Sequence, residues 1–174
     1  ARPLPGSETL AVHLEDPVTG CLLTLYYTLF PAHDLISRYF TLENRGDAPV
    51  KIEKAMSLCL DLPGHGYDLI SLHGAHVAER QVQRLPLGYG VQSVTSRRGA
   101  SSHQFNPFIA LAEHGAGETS GRVYAFNFVY SGSFLDEVEV DQSGNTRVGV
   151  GLGEENFAYT LSPGESFTSP EAVM

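Results

Sequence analysis

The chain has 174 residues, 42% hydrophobic and 18% charged, with a formal net charge of −9. This suits one folded domain with a sizeable core rather than a disordered chain. The acidic balance argues against a phosphate-binding nucleic-acid surface and against docking on an anionic membrane, and no apolar run reaches the roughly 18 residues of a membrane-spanning helix.

The opening residues Ala1-Arg2-Pro3-Leu4-Pro5 lack an initiator Met and any basic-then-apolar leader pattern. The chain stops at Met174, just after a strand-like run. Both ends are expected to continue in a longer protein, soluble and cytoplasmic. Residues 21–30 are rich in β-branched and aromatic types and end at Pro31. Residues 35–42 alternate apolar with polar, and Asn44, Gly46, Asp47 and Pro49 then mark a turn. Residues 50–62 read as one long strand closed by Pro63-Gly64. Further strands are expected at 67–72, 77–85, 89–96, 108–111, 123–130, 134–140, 146–152, 157–161 and 166–168, with short Gly-, Ser- and Pro-bearing links. Residues 77–84 hold no 3.6-residue apolar stripe, and Pro86 ends the run, so no amphipathic helix is expected. Strands at this spacing predict one all-β domain, residues 1–174, built of paired antiparallel sheets.

Cys21 and Cys59 each sit in an apolar, strand-like run and read as reduced, buried thiols. The seven histidines show no metal-ligand spacing; His73 and His76 are three apart, on opposite faces of a strand. Glu137, Glu139 and Asp141 alternate as a solvated face would, and Asp61 and Asp68 flank the Pro-Gly turn as groups that cap or solubilise it. No nucleophile elbow and no phosphate loop before a helix is present, so no cofactor is expected. The densest polar stretch is residues 97–108, where Arg97, Arg98, Ser101, His103, Gln104 and Asn106 accompany two phenylalanines. Such donors suit a hydroxyl-rich ligand, and the rings could stack on a sugar face. From residue types alone the plainer reading is a long loop tied down by its own side chains against a neighbouring domain.

Several runs resemble glycoside hydrolase family 36 α-galactosidases. RRGASSHQFNPFIAL (97–111) is similar to a segment of that family. RVYAFNFVYSGSFL (122–135) resembles its VYGFNLVYSGNFL run, VEVDQ (138–142) matches as it stands, and LSPGESF (161–167) resembles LEPGESF. Glu79-Arg80, Arg84 and Pro86-Leu87 resemble the family's ERxVxRRPL pattern. Two departures stand at His76, where tryptophan is frequent, and at Phe105, where histidine is.

The resemblance implies an antiparallel β-supersandwich of the galactose-mutarotase type, an internal piece of an N-terminal domain that lacks the catalytic barrel. In the family a (β/α)₈ barrel of the same chain follows and carries the two aspartates of a retaining double displacement on terminal α-galactosides such as melibiose and raffinose. The barrel's K-W-D-type motif has no counterpart here, where there is no tryptophan at all. No catalytic or metal-ligating residue is therefore assigned. Expected partners are the barrel and, in the full enzyme, further copies of the chain. Residues 97–108 are expected to face the barrel or a neighbouring subunit. The alternatives are a free-standing carbohydrate-binding module and a mutarotase-like sugar epimerase, which needs a converging His acid and Glu base.

Overall fold

The computed structural model describes residues 5–155 and 157–174. Residues 1–4 of the opening segment lie outside the described residues. The strands are β1 (Glu8–Asp16), β2 (Cys21–Phe30), β3 (Leu35–Asn44), β4 (Val50–Ile52), β5 (Ala55–Leu62), β6 (Tyr67–Ala75), β7 (Ala78–Pro86), β8 (Gly90–Ser96), β9 (Phe105–Glu113), β10 (Val123–Val129), β11 (Phe134–Val140), β12 (Thr146–Leu152), β13 (Tyr159–Leu161), β14 (Ser166–Thr168) and β15 (Glu171–Val173).

Every pairing among these strands is antiparallel. The large sheet runs β1-β2-β3-β15-β10-β9-β6-β7, with β14 also pairing β3. The small sheet runs β5-β12-β11-β8, and β13 and β4 form a separate ribbon. The small sheet packs over the middle of the large one: β5 lies on β3 and β15, β12 on β10, and β11 and β8 on β9. The expected all-β, antiparallel architecture is what forms.

The core lies between the two sheets because strand alternation sends every second side chain there. The large sheet contributes Leu69, Ile109, Leu111, Phe126, Phe128 and Ala172, and the small sheet Leu58, Val94, Phe134, Val138, Val148 and Val150. Burying one such large side chain contributes about 1.5–3 kcal/mol. Asn44 is fully buried at the end of β3; its Nδ2 donates to Ala48 O (2.8 Å) and Leu161 O (2.9 Å), and its Oδ1 accepts from Gly46 N (3.1 Å). One carboxamide thus ties the large sheet, the 44–50 turn and the β13 strand together.

Several expectations need correction. Residues 50–62 are two strands, not one: β4 pairs β13, whereas β5 pairs β12. β1 precedes the first expected strand, and its Leu10-Val12-Leu14 alternation shows why it forms. β9 begins at Phe105 rather than at the expected Phe108, so Phe105, Asn106 and Pro107 belong to a strand and not to a loop. Cys59 is exposed rather than buried, because neighbouring Leu58 and Leu60 take the inward positions on β5. Cys21 is buried, and both thiols are free. Asp61 and Asp68 do not cap the Pro-Gly turn. Asp61 pairs with Arg147 on β12, and Asp68 with Arg84 on β7. His73 is in β6, but His76 falls in the turn after it. Asp141 lies beyond β11 and accepts the backbone amides of Ser143 and Asn145, which holds its carboxyl below the usual carboxylate range.

Candidate functional site

Two crossovers between the sheets run side by side: residues 97–104 from β8 to β9, and 130–133 from β10 to β11. They are laced together. Ser101 N donates to Ser131 O (2.8 Å), Gly99 N to Ser133 Oγ (2.9 Å), and Ser96 Oγ to Ala100 O (2.6 Å). Gly99 sits at φ +78°, a left-handed conformation that glycine adopts without strain. At the far end Gly74 N donates to Gln104 O (3.1 Å), fastening the segment to β6.

Beside this lacing a cavity of about 320 Å³ opens on the outer face of the small sheet. The strand register builds its floor: Ser93 and Thr95 of β8 stand beside Glu137 and Leu135 of β11. Two ion pairs border it. Lys54 Nζ meets Glu137 Oε1 at 2.7 Å, and the Arg97 guanidinium meets the Glu155 carboxylate. Tyr130 and Phe157 add rings to the lining.

The expected site residues separate in space. Arg97 lines the cavity, and Ser101 anchors the lacing through its backbone. Gln104 acts through its backbone groups, its N–H donating to Ser102 Oγ (3.2 Å). Arg98 and His103 are exposed, and neither makes a polar contact among the described residues. Asn106 on β9 buries its Oδ1 with no partner. The Lys54–Glu137 pair, Tyr130 and Glu155 come from distant parts of the sequence, and no local signal linked them to residues 97–106.

A second buried group was also missed. Asp136 is 1% exposed, and neither carboxylate oxygen has a hydrogen-bond partner. Burial alone pushes its carboxyl well above the ordinary range. Alternation could have found it, since Phe134, Asp136, Val138 and Val140 share one face of β11.

Elsewhere, Arg84 Nε donates to Asp68 Oδ2 (2.7 Å), and its other nitrogens donate to Ala116 O (2.7 Å) and Glu113 O (3.3 Å). Arg84, with His114 at 2.7 Å on the other oxygen, holds the Asp68 carboxyl below its usual range. This is the one His–carboxylate hydrogen bond among the described residues, and no histidine meets a glutamate there. No group of His, Cys, Asp and Glu among the described residues is placed to hold a metal ion. No helix of the structure is long and apolar enough to cross a membrane.

Compared with known proteins, residues 2–162 match the glycosyl hydrolase family 36 N-terminal domain. The chain belongs to that family. Family 36 relatives include α-galactosidase AgaA of Geobacillus stearothermophilus, 48% identical over 97% of this chain and 23% of the relative. The bifunctional α-galactosidase/sucrose kinase AgaSK of Mediterraneibacter gnavus is 42% identical over 97% of this chain and 18% of the relative. The crystal structure of AgaA in complex with stachyose superimposes with a TM-score of 0.95, covering 97% of this chain and 24% of that one. This family 36 domain therefore spans less than a quarter of the length of these relatives.

Proposed function

We propose that the chain is the non-catalytic N-terminal domain of a retaining α-galactosidase acting on terminal α-galactosides of the melibiose and raffinose type. Its role is to support the (β/α)₈ barrel of the same chain and the assembly of that enzyme into an oligomer. The observation that carries this reading is the family match over residues 2–162, which occupies under a quarter of relatives named α-galactosidases. Solved structures of one relative hold stachyose and raffinose. Retaining chemistry requires two carboxyl groups about 5–5.5 Å apart across a sugar. Here Glu137, Asp68 and Asp61 are engaged in ion pairs, Asp141 holds a turn, and Asp136 is shut inside the core.

Within this reading residues 97–108 face the barrel or a neighbouring subunit. Arg98 and His103 are the free donors of that segment, while Arg97, Ser101 and Gln104 hold its shape. The test mixes the 174-residue chain with the separately expressed remainder of the parent enzyme and follows nitrophenyl α-galactoside hydrolysis. The chain alone is expected to be inactive, and the mixture more active and more heat-stable than the remainder alone. Replacing Arg98 and His103 together with glutamate is expected to abolish that gain. Hydrolysis by the chain alone, or no gain on mixing, refutes the reading.

A further inference from the structure

We propose that the cavity on the outer face of the small sheet is a binding site for a neutral oligosaccharide. Its volume of about 320 Å³ falls at the lower end of the roughly 300–1,000 Å³ typical of ligand pockets. Three features of its walls point to hydroxyl-rich rings.

The first is the pairing of charges. Lys54 with Glu137, and Arg97 with Glu155, each set a multi-donor cation beside a carboxylate acceptor at the cavity wall. Adjacent hydroxyls of a sugar each donate and accept, so a neighbouring cation and carboxylate satisfy both at once. Since each cation already has its carboxylate, the wall leaves no positive charge free for a phosphate, and Glu154 is its one carboxylate without an ion pair among the described residues. A neutral ligand is the better electrostatic match.

The second is the aromatic surface, which is held in place before any ligand arrives. The Tyr130 ring lies over Gly132, where a Cβ would stand 2.4 Å from a ring carbon, and its centroid is 5.6 Å from that of Phe128. Phe157 packs on Phe167 with centroids 5.6 Å apart. Rings fixed in this way offer flat apolar faces to sugar C–H groups at low entropic cost.

The third is the floor. The small, exposed Ser93 leaves room for a ring to approach the sheet. Gly153 lets the Leu135 side chain lie close, since a Cβ there would stand 2.9 Å from it. The Ser93 hydroxyl has no partner among the described residues, whereas Thr95 Oγ1 is committed to Phe134 O (2.7 Å).

The inference concerns this chain's own surface and does not depend on the barrel-supporting role. Its test is a titration of the ¹⁵N-labelled 174-residue chain with raffinose and with stachyose, followed by amide shifts. Saturable shifts with a millimolar dissociation constant, centred on Ser93, Thr95, Gly99 and Gly153, are expected. Tyr130→Ala and Lys54→Met, both at solvent-accessible positions, are expected to weaken binding at least about tenfold. Leu10→Lys, on edge strand β1, is expected to leave it unchanged. Absence of saturation into the tens of millimolar range overturns the proposal. So do shifts centred elsewhere, or wild-type affinity in both cavity variants whose spectra remain dispersed. Failure of the mixing experiment with an intact titration would refute the domain role alone.

Discussion

Replacing Asp136 separates the cost of burying a charge from the ordinary behaviour of a surface carboxylate. In the folded chain its two oxygens have no partner, and burial raises the carboxyl well above its usual 3.8. Below about pH 4 the group is protonated whether the chain is folded or not, so it contributes no pH dependence. Above that the unfolded chain releases the proton while the folded chain keeps it. The native state then binds more protons, and stability falls by about 1.4 kcal/mol per pH unit until the folded value is passed. Asp136→Asn keeps the shape and removes the titration. The difference in unfolding free energy between variant and parent should therefore grow from about pH 4 upward at close to that slope, then level off. Asp136→Val also removes two unsatisfied oxygens beside Val94 and Val150, with which residue 136 is in register. It should stabilise the domain at neutral pH by at least about 2 kcal/mol, raising Tm by roughly 2–4 °C per kcal/mol. Urea unfolding followed by circular dichroism from about pH 4 to about pH 8 measures both effects. An Asn variant with the parent's pH slope, or a Val variant less stable than the parent at pH 7, would refute the reasoning.

Two further substitutions probe the frame around the site. Asn44→Ala leaves the carbonyls of Ala48 and Leu161 and the amide of Gly46 without their side-chain partner. It should cost about 3 kcal/mol in chemical denaturation, and β13 amides should lose hydrogen-exchange protection before the small sheet does. Gly151→Ala puts a Cβ 2.4 Å from Ala55 O and 2.6 Å from Met56 Cα, backbone atoms at the β12–β5 bulge that cannot swing away. It should destabilise by about 1–3 kcal/mol, whereas Gly149→Ala, which meets the mobile end of Met56 at 2.9 Å, should cost less. Equal losses from the two glycine changes would contradict the bulge explanation.

The sandwich class was legible because alternation and turn residues are local signals. The 21–30 strand, closed by Pro31, was read to the residue. β1 is legible too, in the alternation of Leu10, Val12 and Leu14. The limits of the 97–108 segment were harder. Its strand half, from Phe105, shows only as pairing with β10 and β6, and neither partner is its sequence neighbour. Arg84 stood out as a motif residue, but nothing local indicated that it would bind Asp68 across a strand pair and two carbonyls beyond it.

By itself, the sequence determined that the chain is built of strands, roughly where they lie, and, through its ordered likeness to family 36, which domain it forms. Only the tertiary structure decided that residues 50–62 divide between a ribbon and a sheet, that Cys59 faces out, and that Lys54, Arg97, Tyr130 and Glu155 border one cavity. The physical reason is range. Side-chain alternation follows from the dihedrals of a single strand, whereas pairing order and the meeting of remote side chains arise only when separate strands close over a common core.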